Sequence, residues 1–292
     1  MHNKLVDVRK LVREKYKGWV PGFLLNLLEK LVRQDELNRL MQLQDYVDGV
    51  DMTNRLWEEL NLSISMVGKE RLPAMDKRVI FAGNHPLGGA DGLALTAVLG
   101  NLYQKKFHVL VTDLLMQVWQ LSDILVPLNE YGSQSRLGHK SLTDALEGEA
   151  QILTFPAGAV SRVTDSGRIE DREWRPSFAK LARRYERDIV PIFFEGQNSK
   201  SFYRTEQIRS TLGIKFNIGT ILLPKEFLGA KGKHFKIYVG ESIPFSEVPV
   251  GPDVKGFASE LRSLIYTFPQ LYSGESAETL HPVLPALSPQ NV

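Results

Sequence analysis

The chain contains no cysteine among its 292 residues. This absence excludes disulfide bonds, thiolate nucleophiles and cysteine metal sites, and it suits a reducing, cytoplasmic compartment. The sequence also lacks a run of about 18 apolar residues, so no segment is predicted to span a bilayer. Charged and apolar residues alternate at the start of the chain, and no secretory signal is predicted there.

Several motifs of common enzyme classes are missing as well. The sequence has no His-Glu-x-x-His, no Gly-x-x-x-x-Gly-Lys, no Gly-x-Gly-x-x-Gly and no Gly-x-Ser-x-Gly. It therefore gives no support for a metal site, a nucleotide or dinucleotide cofactor, or a serine nucleophile. The net charge is only +2, and the basic clusters lack interleaved aromatics, which argues against nucleic acid as a partner.

Positive charge is concentrated at the N-terminus. Residues 1–33 contain eight Lys or Arg and three Asp or Glu, a net of +5, which leaves −3 for the other 259 residues. The same region predicts an amphipathic helix that begins just after Trp19 and whose broad apolar face comprises Phe23, Leu24, Leu27, Leu28, Leu31 and Val32. Such a helix could lie in a membrane interface, and packing on the main domain is the alternative.

From about residue 62, short apolar runs rich in Val, Ile and Phe alternate with helical patterns. Seven runs are predicted strands, beginning near residues 62, 78, 107, 123, 150, 188 and 235. The alternation predicts an α/β fold with a mixed, largely parallel sheet flanked by helices. We divide the chain into an N-terminal amphipathic helical region (1–60), an α/β domain (61–273) and a flexible proline-rich tail (274–292).

Three predicted strand ends combine glycine or proline with polar residues: GNHPLGGADG (83–92), FPAGAVSR (155–162) and VPIFFEGQNS (190–199). Sites in open α/β sheets gather at such carboxyl ends. In the first segment, His85 could act as a general base and Asp91 could orient its ring, with Gly88 and Gly89 allowing a tight turn. The alternative is that Asp91 caps a helix and His85 is an ordinary surface residue.

These segments resemble the conserved blocks of the lysophospholipid (glycerolipid) acyltransferase family. Residues 84–92 are similar to its histidine-aspartate signature, and residues 155–162 occupy the place of its Phe-Pro-Glu-Gly-Thr-Arg-Ser block. Residues 124–136 stand where its second block should be, and residues 189–192 resemble its final apolar-Pro block. The blocks occur in family order over residues 60–245.

The departures from the family pattern point to one branch. Five residues separate His85 from Asp91 where the family usually has four, which resembles the haemolysin-like branch and the aminolipid N-acyltransferases. Ala157 replaces a family glutamate, and Asn129 stands where an arginine follows the second block. Those family positions are associated with glycerol phosphate, so lysophosphatidic acid is a poor match as acceptor.

The resemblance implies transfer of a fatty acyl group from a thioester on acyl carrier protein or coenzyme A to a hydroxyl or amine of a lipid precursor, without a metal or bound cofactor. By resemblance, His85 deprotonates the acceptor and Asp91 orients His85. Backbone N–H groups around Gly158 are expected to stabilise the oxyanion, and Arg162 is expected to bind an acidic group. The residues expected to bind substrate or shape the pocket are Asn84, Gly88, Gly89, Phe155, Pro156, Gly158, Ser161, Arg162, Glu195 and Asn198.

Other readings of the same residues stay open. The acceptor could be the amine of an amino acid, which would give an N-acyl aminolipid; water as acceptor would make the protein a thioesterase-like hydrolase. A non-catalytic membrane-binding member of the fold is a further alternative. Residues 210–233 could form an acyl-tunnel wall or a membrane-facing lobe, or belong to the core. The expected location is cytoplasmic, peripheral on the inner face of the cytoplasmic membrane, with the membrane surface as a partner.

Overall fold

The structure is a computed structural model that describes residues 7–15, 18–42, 48–112, 116, 119–128, 136–211 and 218–284. Within these ranges it contains eleven α-helices, four of them before the first strand. The helices are α1 (Val8–Lys15), α2 (Gly22–Leu31), α3 (Gln34–Leu40), α4 (Gly49–Glu59), α5 (Ala90–Leu102), α6 (Arg136–Glu147), α7 (Ser177–Arg184), α8 (Lys200–Thr211), α9 (Ile218–Leu228), α10 (Val254–Ile265) and α11 (Phe268–Leu271).

The described residues also form ten strands, which confirm all seven predicted ones. The strands are β1 (Ser63–Val67), β2 (Val79–Gly83), β3 (Phe107–Val111), β4 (Leu125–Pro127), β5 (Gln151–Thr154), β6 (Arg162–Val163), β7 (Ile169–Glu170), β8 (Asp188–Glu195), β9 (His234–Val239) and β10 (Glu278–Leu280). Eight of them form one sheet in the order β10-β1-β9-β8-β2-β5-β3-β4, and β6 and β7 form a separate hairpin.

The main sheet is mixed and largely parallel, as predicted. The strands from β8 through β2, β5 and β3 to β4 are parallel to one another, whereas β9 runs antiparallel to β8. Strand β1 is parallel to β9, and β10 is antiparallel to β1. The central position of β2 places its carboxyl end between those of β5 and β8, where the second and third predicted segments begin.

Helices cover both faces of the sheet, which explains why β2 is apolar along its whole length. Phe81 of β2 pairs with Val190 of β8 on the face covered by α4 and α5. The preceding residue, Ile80, pairs with Ile189 on the face covered by α6, α7 and α10. Trp57 of α4 is fully buried in the first core, so α4 packs as part of the α/β domain and residue 60 does not separate two cores.

The apolar face predicted for the N-terminal region lies on α2 and is largely exposed. Trp19, Phe23 and Leu27 are 85%, 69% and 59% exposed, respectively. Leu25 of α2 and Val32, which directly follows the helix, are buried. No helix in the described ranges is both long enough and apolar enough to cross a bilayer.

Strand β10 lies within the predicted proline-rich tail (274–292). Strand β10 pairs antiparallel with β1, with Ser65 opposite Thr279, and Glu278 forms an ion pair with Lys69 at 2.6 Å. Residues 285–292 lie outside the described residues. The unpaired backbone groups at the edge of β1 can bind β10 through backbone hydrogen bonds. This pairing does not require apolar side chains, of which β10 has few.

Residues 210–233 form a helix and a turn, with 212–217 outside the described residues. Leu228 and Ala230 belong to the core beneath α5. Leu222 of α9 joins Phe202 of α8 and Val160 in a small apolar cluster beside the end of β5. We call α8 and α9 the α8–α9 lobe; it lies directly against the glycine loop that follows β2.

Candidate active site

The loop between β2 and α5 brings His85 and Asp91 together. The Nδ1 atom of His85 lies 3.1 Å from Oδ2 of Asp91. Asp91 is fully buried in the first turn of α5, whereas the side chain of His85 is 16% exposed. The capping position of α5 is Gly89, so Asp91 faces the histidine and does not serve as the helix cap that the alternative reading proposed.

The carboxylate of Asp91 also fixes the backbone of this loop. Its Oδ2 accepts hydrogen bonds from the N–H groups of Leu87 at 2.8 Å and Gly88 at 3.3 Å. Its Oδ1 accepts from the N–H of Gly92 at 2.7 Å. One buried acid therefore both shapes the turn and faces the imidazole. The turn accommodates the five residues between His85 and Asp91.

The two glycines predicted to allow this turn are required for different reasons. Gly88 has φ +83°, in the left-handed region that L side chains rarely adopt, and a Cβ there would lie 2.8 Å from Val160. A Cβ at Gly89 would lie 3.1 Å from the ring of Phe227 in α9. The turn is therefore pressed between the end of β5 and the α8–α9 lobe.

Burial and charge act in opposite directions on the pKa values of His85 and Asp91. Burial alone would lower the pKa of His85, but the charge of Asp91 and its hydrogen bond raise the pKa above the ordinary value. Burial alone would raise the pKa of Asp91, but the charge of His85, their hydrogen bond and the backbone donors lower it. Each group thus favours the charged form of the other, the relation expected of a base and its orienting acid.

Phe155 holds the opposite side of the imidazole. Its ring stacks on His85 with centroids 4.1 Å apart and an interplanar angle of 26°. The Nε2 atom of His85 makes no hydrogen bond within the described residues, so it is the ring nitrogen left for an incoming group. The arrangement presents one oriented base at a partly exposed strand end.

A second buried acid, Asp171, supports the backbone of His85. Its Oδ1 accepts from the N–H of His85 at 3.1 Å and from the hydroxyl of Ser161 at 2.6 Å. Its Oδ2 accepts from the indole N–H of Trp174 at 2.9 Å. Burial raises the pKa of Asp171, and these hydrogen bonds oppose the shift. Sequence reasoning missed Asp171 because it follows strand β7 in a charged run. The nearby Trp174, which donates to Asp171, is the one neighbour whose type suggests burial.

Ser161 and Gly158 have structural roles in the second segment. Ser161 is buried, and its N–H donates to the carbonyl of His85 at 2.9 Å while its hydroxyl is bound to Asp171. Gly158 has φ +61°, and its N–H closes a turn with the carbonyl of Phe155 at 2.9 Å. The N–H of Gly158 is therefore occupied and does not serve as an oxyanion donor. The carbonyl of Pro156 accepts from the N–H of Arg175.

The two predicted asparagines tie neighbouring strand ends together. Asn84 is buried, and its amide both donates to and accepts from the backbone of Phe194, at 3.0 and 2.6 Å. Asn198 donates to the carbonyl of Pro86 at 3.1 Å. Both residues position the His85 loop through its backbone, a role that differs from the expected contact with substrate.

Glu195 and Arg162 have separate surroundings. Glu195 is exposed and accepts from the hydroxyl of Tyr238, whose ring packs on the sheet face opposite α5. The described contacts therefore do not join Glu195 to the His85 loop. Arg162 lies at the start of β6, half-buried, and pairs with Glu206 of α8 at 3.2 Å. Sequence reasoning missed Glu206, because it lies in the middle of an otherwise polar helix.

A family model described as acyltransferase matches residues 12–268, most of the chain. The chain belongs to the acyltransferase family.

Two relatives of this acyltransferase are lyso-glycine lipid O-acyltransferases. That of Phocaeicola vulgatus is 36% identical over 266 residues, covering 90% of this chain and 94% of the relative. That of Bacteroides thetaiotaomicron is 35% identical over 266 residues, covering 90% and 97%. Among solved structures, the chain is similar to the 1-acyl-sn-glycerophosphate (LPA) acyltransferase PlsC from Thermotoga maritima, with a TM-score of 0.47, 13% identity and coverage of 90% and 93%.

The family departures noted in the sequence can be placed only in part. Ala157, which replaces the family glutamate, is buried against the sheet face covered by α7 and α10. It contributes no polar group to the loop around His85. Asn129 and most of the second block lie outside the described residues. At position 157 the acyltransferase thus lacks the acidic side chain that the family carries there.

Proposed function

We propose that this acyltransferase moves a fatty acyl group from an acyl thioester to the hydroxyl of a single-chain lipid in membrane lipid biosynthesis. The observation that carries the proposal is the 3.1 Å contact between His85 Nδ1 and Asp91 Oδ2, with Nε2 left unbound. This arrangement favours the tautomer whose Nε2 lone pair can accept a proton.

His85 acts as the general base in this mechanism. Its Nε2 takes the proton of the acceptor hydroxyl as the hydroxyl oxygen attacks the thioester carbonyl carbon. A C–O bond forms, and the tetrahedral oxyanion collapses as the C–S bond breaks. The protonated ring returns its proton to the departing thiolate, so the products are an ester and a free thiol. Asp91 stabilises the transient imidazolium.

Two backbone donors beside the histidine suit the oxyanion. The N–H groups of Ala159 and Val160 make no hydrogen bond within the described residues, and both follow the turn closed by Gly158. They belong to the segment whose Ser161 N–H holds the carbonyl of His85. Donors fixed in this way stabilise developing negative charge without reorganisation.

The relatives narrow the choice of acceptor. Both are named for O-acylation of a lyso-glycine lipid, which favours a hydroxyl acceptor over the amine of a free amino acid. The buried Ala157 gives no support for glycerol phosphate as the acceptor headgroup. The carrier of the acyl group is an acyl carrier protein or coenzyme A, since either presents the thioester that the reaction requires.

The exposed face of α2 is the proposed contact with a membrane surface. Trp19, Phe23 and Leu27 are exposed together, in a region whose first 33 residues carry a net charge of +5. Aromatic and apolar side chains flanked by basic residues are typical of helices that lie in an anionic interface. Helix α2 contacts α3, and α3 packs on α9 of the α8–α9 lobe, so α3 connects this helix to the part of the protein that covers the glycine loop.

A product assay by mass spectrometry tests the function. The full chain and the His85→Ala variant are each given acyl carrier protein or coenzyme A thioesters with a hydroxylated N-acylglycine, lysophospholipids or free amino acids. We expect a new ester on the N-acylglycine, and a rate about 100- to 10,000-fold lower in the variant because it lacks the general base. His139→Ala, an exposed histidine on α6, is the matched control and should keep the wild-type rate.

Three results would contradict the proposal. Release of free fatty acid without an acylated acceptor would identify a hydrolase. An amide formed on a free amino acid would identify an N-acyltransferase. A His85→Ala protein with the wild-type rate would exclude His85 as the base.

A further inference from the structure

The exposed face of α7 is basic. Every charged residue of this helix is a cation, and Lys180, Arg183 and Arg184 are all exposed. Their spacing of three and four residues places them on one face of the helix. Arg78, just before β2, donates to the carbonyl of Tyr185 at 3.0 Å and so adds a fourth cation where the helix ends. We call these four cations the α7 basic surface.

The charges of the α7 basic surface are not offset by acids. Arg183 donates to a backbone carbonyl at 3.0 Å, and Arg184 lies over a tyrosine ring, 5.3 Å from its centroid. Arg78 donates to two backbone carbonyls. Within the described residues, none of the four cations forms an ion pair with a carboxylate, and this includes the exposed Glu186 and Glu247 beside α7. The 259 residues after position 33 carry a net charge of −3, so this surface is a local concentration of positive charge.

A buried cation adds to this charge from below. Arg187 follows α7, and its guanidinium donates to the carbonyls of Leu146 and Ala150, both at 2.8 Å. Burial and the nearby charge of Arg78 lower the pKa of Arg187 to about 10, so it remains charged at neutral pH. Its printed partners are all backbone carbonyls, which leave its positive charge in place.

The start of α7 lies next to the candidate active site. The carbonyl of Pro156 accepts from the N–H of Arg175 at 3.1 Å, and Trp174 donates to the acid that binds the backbone of His85. From Ser177 the helix extends for eight residues along β2 and β8, which is about 12 Å. A phosphopantetheine arm, which is longer than this helix, can therefore reach from the α7 basic surface to the site.

The sheet separates α7 from the proposed membrane contact. Phe178 and Ala182 of α7 belong to the core on one face of the sheet, whereas Leu37 and Leu40 of α3 belong to the core on the other. Helix α2 contacts α3. When α2 lies on a membrane, the α7 basic surface therefore faces water, which favours a soluble acidic partner over a lipid surface.

We propose that the α7 basic surface binds the acidic face of an acyl carrier protein and makes this protein the preferred acyl donor over coenzyme A. This assignment rests on the proposed function. Acyl carrier proteins are small acidic proteins that present the thioester on a phosphopantetheine arm, whereas coenzyme A presents the same arm without a protein. Exposed cations spread over a full helical turn suit an extended acidic surface, and such complementarity accelerates and orients docking.

The carrier of the acyl group provides the test. The same acyl chain is supplied on acyl carrier protein, on coenzyme A and on free pantetheine, with one hydroxylated N-acylglycine as the acceptor. KM and kcat are measured for each donor. Equilibrium binding of holo-acyl carrier protein and co-sedimentation with anionic vesicles are measured separately, since neither requires turnover.

Two pairs of substitutions separate this surface from net charge. Lys180→Glu combined with Arg184→Glu reverses two exposed cations of the α7 basic surface. Lys231→Glu combined with Lys233→Glu is the matched control, because these lysines are exposed in the turn between α9 and β9 and the change in net charge is the same.

We expect the wild type to have a lower KM for the carrier-protein thioester than for the other two donors. The Lys180/Arg184 variant should raise this KM by about 10-fold or more, because electrostatic steering changes association rates by 10- to 1,000-fold, and it should use the pantetheine thioester at the wild-type rate. Added salt should raise the wild-type KM for the carrier protein. A carrier protein with two exposed glutamates changed to lysine should regain binding to the variant, and the control should behave as the wild type.

The outcomes separate the docking surface from the proposed reaction. Acyl transfer with an unchanged KM for the carrier protein in the Lys180/Arg184 variant, or with coenzyme A as the better donor, would overturn the surface and leave the reaction standing. Carrier-protein binding that this variant loses, without acyl transfer by the wild type, would support the surface and overturn the reaction. Equal loss with the pantetheine thioester, or loss of vesicle binding in place of carrier-protein binding, would overturn the assignment.

Discussion

Replacing Asp91 with asparagine tests the proposed mechanism most directly, because the side chain keeps its shape and loses its charge. Asparagine can keep the oxygen that accepts from Gly92 at 2.7 Å. Its NH2 group then faces the N–H of Leu87 and the Nδ1 of His85, where the carboxylate makes contacts of 2.8 and 3.1 Å. The variant therefore turns two favourable contacts into donor–donor conflicts or forces the wrong histidine tautomer.

The expected size of the effect follows from these contacts. The hydrogen bond from the Leu87 N–H to the Asp91 carboxylate contributes about 1.5–3 kcal/mol, and the 3.1 Å charge contact between Asp91 and His85 adds to it. Loss of the whole general-base contribution, about 100- to 10,000-fold in rate, corresponds to about 2.7–5.4 kcal/mol. The two ranges overlap, and we expect kcat to fall by at least about 100-fold.

The pH dependence of kcat/KM gives the direction of the expected change. The active base is the neutral ring, and Asp91 raises the pKa of His85 above its ordinary value of 6.5. Wild-type kcat/KM should therefore rise with pH through an acid limb above 6.5, and Asp91→Asn should move that limb to lower pH. Asp171→Asn is the matched control, because Asp171 contacts the backbone N–H of His85 and not its ring. In Asp171→Asn the acid limb should also move to lower pH, but by less than in Asp91→Asn.

A double-mutant comparison completes the test. If Asp91 acts through His85, Asp91→Asn should cost little further rate in a His85→Ala background. An acid limb that stays in place or moves to higher pH in Asp91→Asn would refute the reasoning. A full additional rate loss in the His85→Ala background would do the same.

Two further predictions concern the glycine loop and the exposed helix face. Gly88→Ala should lower the free energy of unfolding by roughly 2–5 kcal/mol, because a left-handed L residue costs about 1–2 kcal/mol and overpacking against Val160 costs about 1–3 kcal/mol. Denaturant unfolding measures this loss. Gly92→Ala is the control, since a Cβ there meets only Phe155 at 3.9 Å, and equal stability of the two variants would contradict the steric argument. Trp19→Ser combined with Phe23→Ser and Leu27→Ser should weaken co-sedimentation with anionic vesicles without changing the rate on a soluble acceptor. Val250→Ser, an exposed apolar residue elsewhere, should have no effect, and unchanged binding by the triple variant would contradict a membrane role for α2.

Local sequence determined the sheet and the position of the proposed base, His85. Strands buried on both faces, such as β2 and the middle of β8, are apolar on both faces, so a single sequence displays them as continuous runs. Where such a run ends, a histidine and an aspartate among glycines stand out against it. The acyltransferase family could be inferred for the same reason, since its blocks are short segments at strand ends.

Long-range contacts decided which neighbouring residues support that base. Asp171 lies 86 positions from His85, and Glu206 lies 44 positions from Arg162. Both acids stand in charged or polar stretches, where the pattern predicts solvent exposure. Only the packing of the β6–β7 hairpin and of α8 against the end of β5 removes them from water and pairs them with specific donors.

Tertiary structure also decided the contacts of the residues that the sequence predicted to bind substrate. Asn84 and Asn198 stood in the right segments, but their amides are used by the backbones of Phe194 and Pro86. The tail showed no strong pattern because edge strand β10 is held by backbone hydrogen bonds to β1, which any non-proline residue can make. Sequence therefore determined which segments meet at the site, whereas the fold decided which of their atoms remain free for chemistry, because hydrogen-bond partners are assigned only when the strands are side by side.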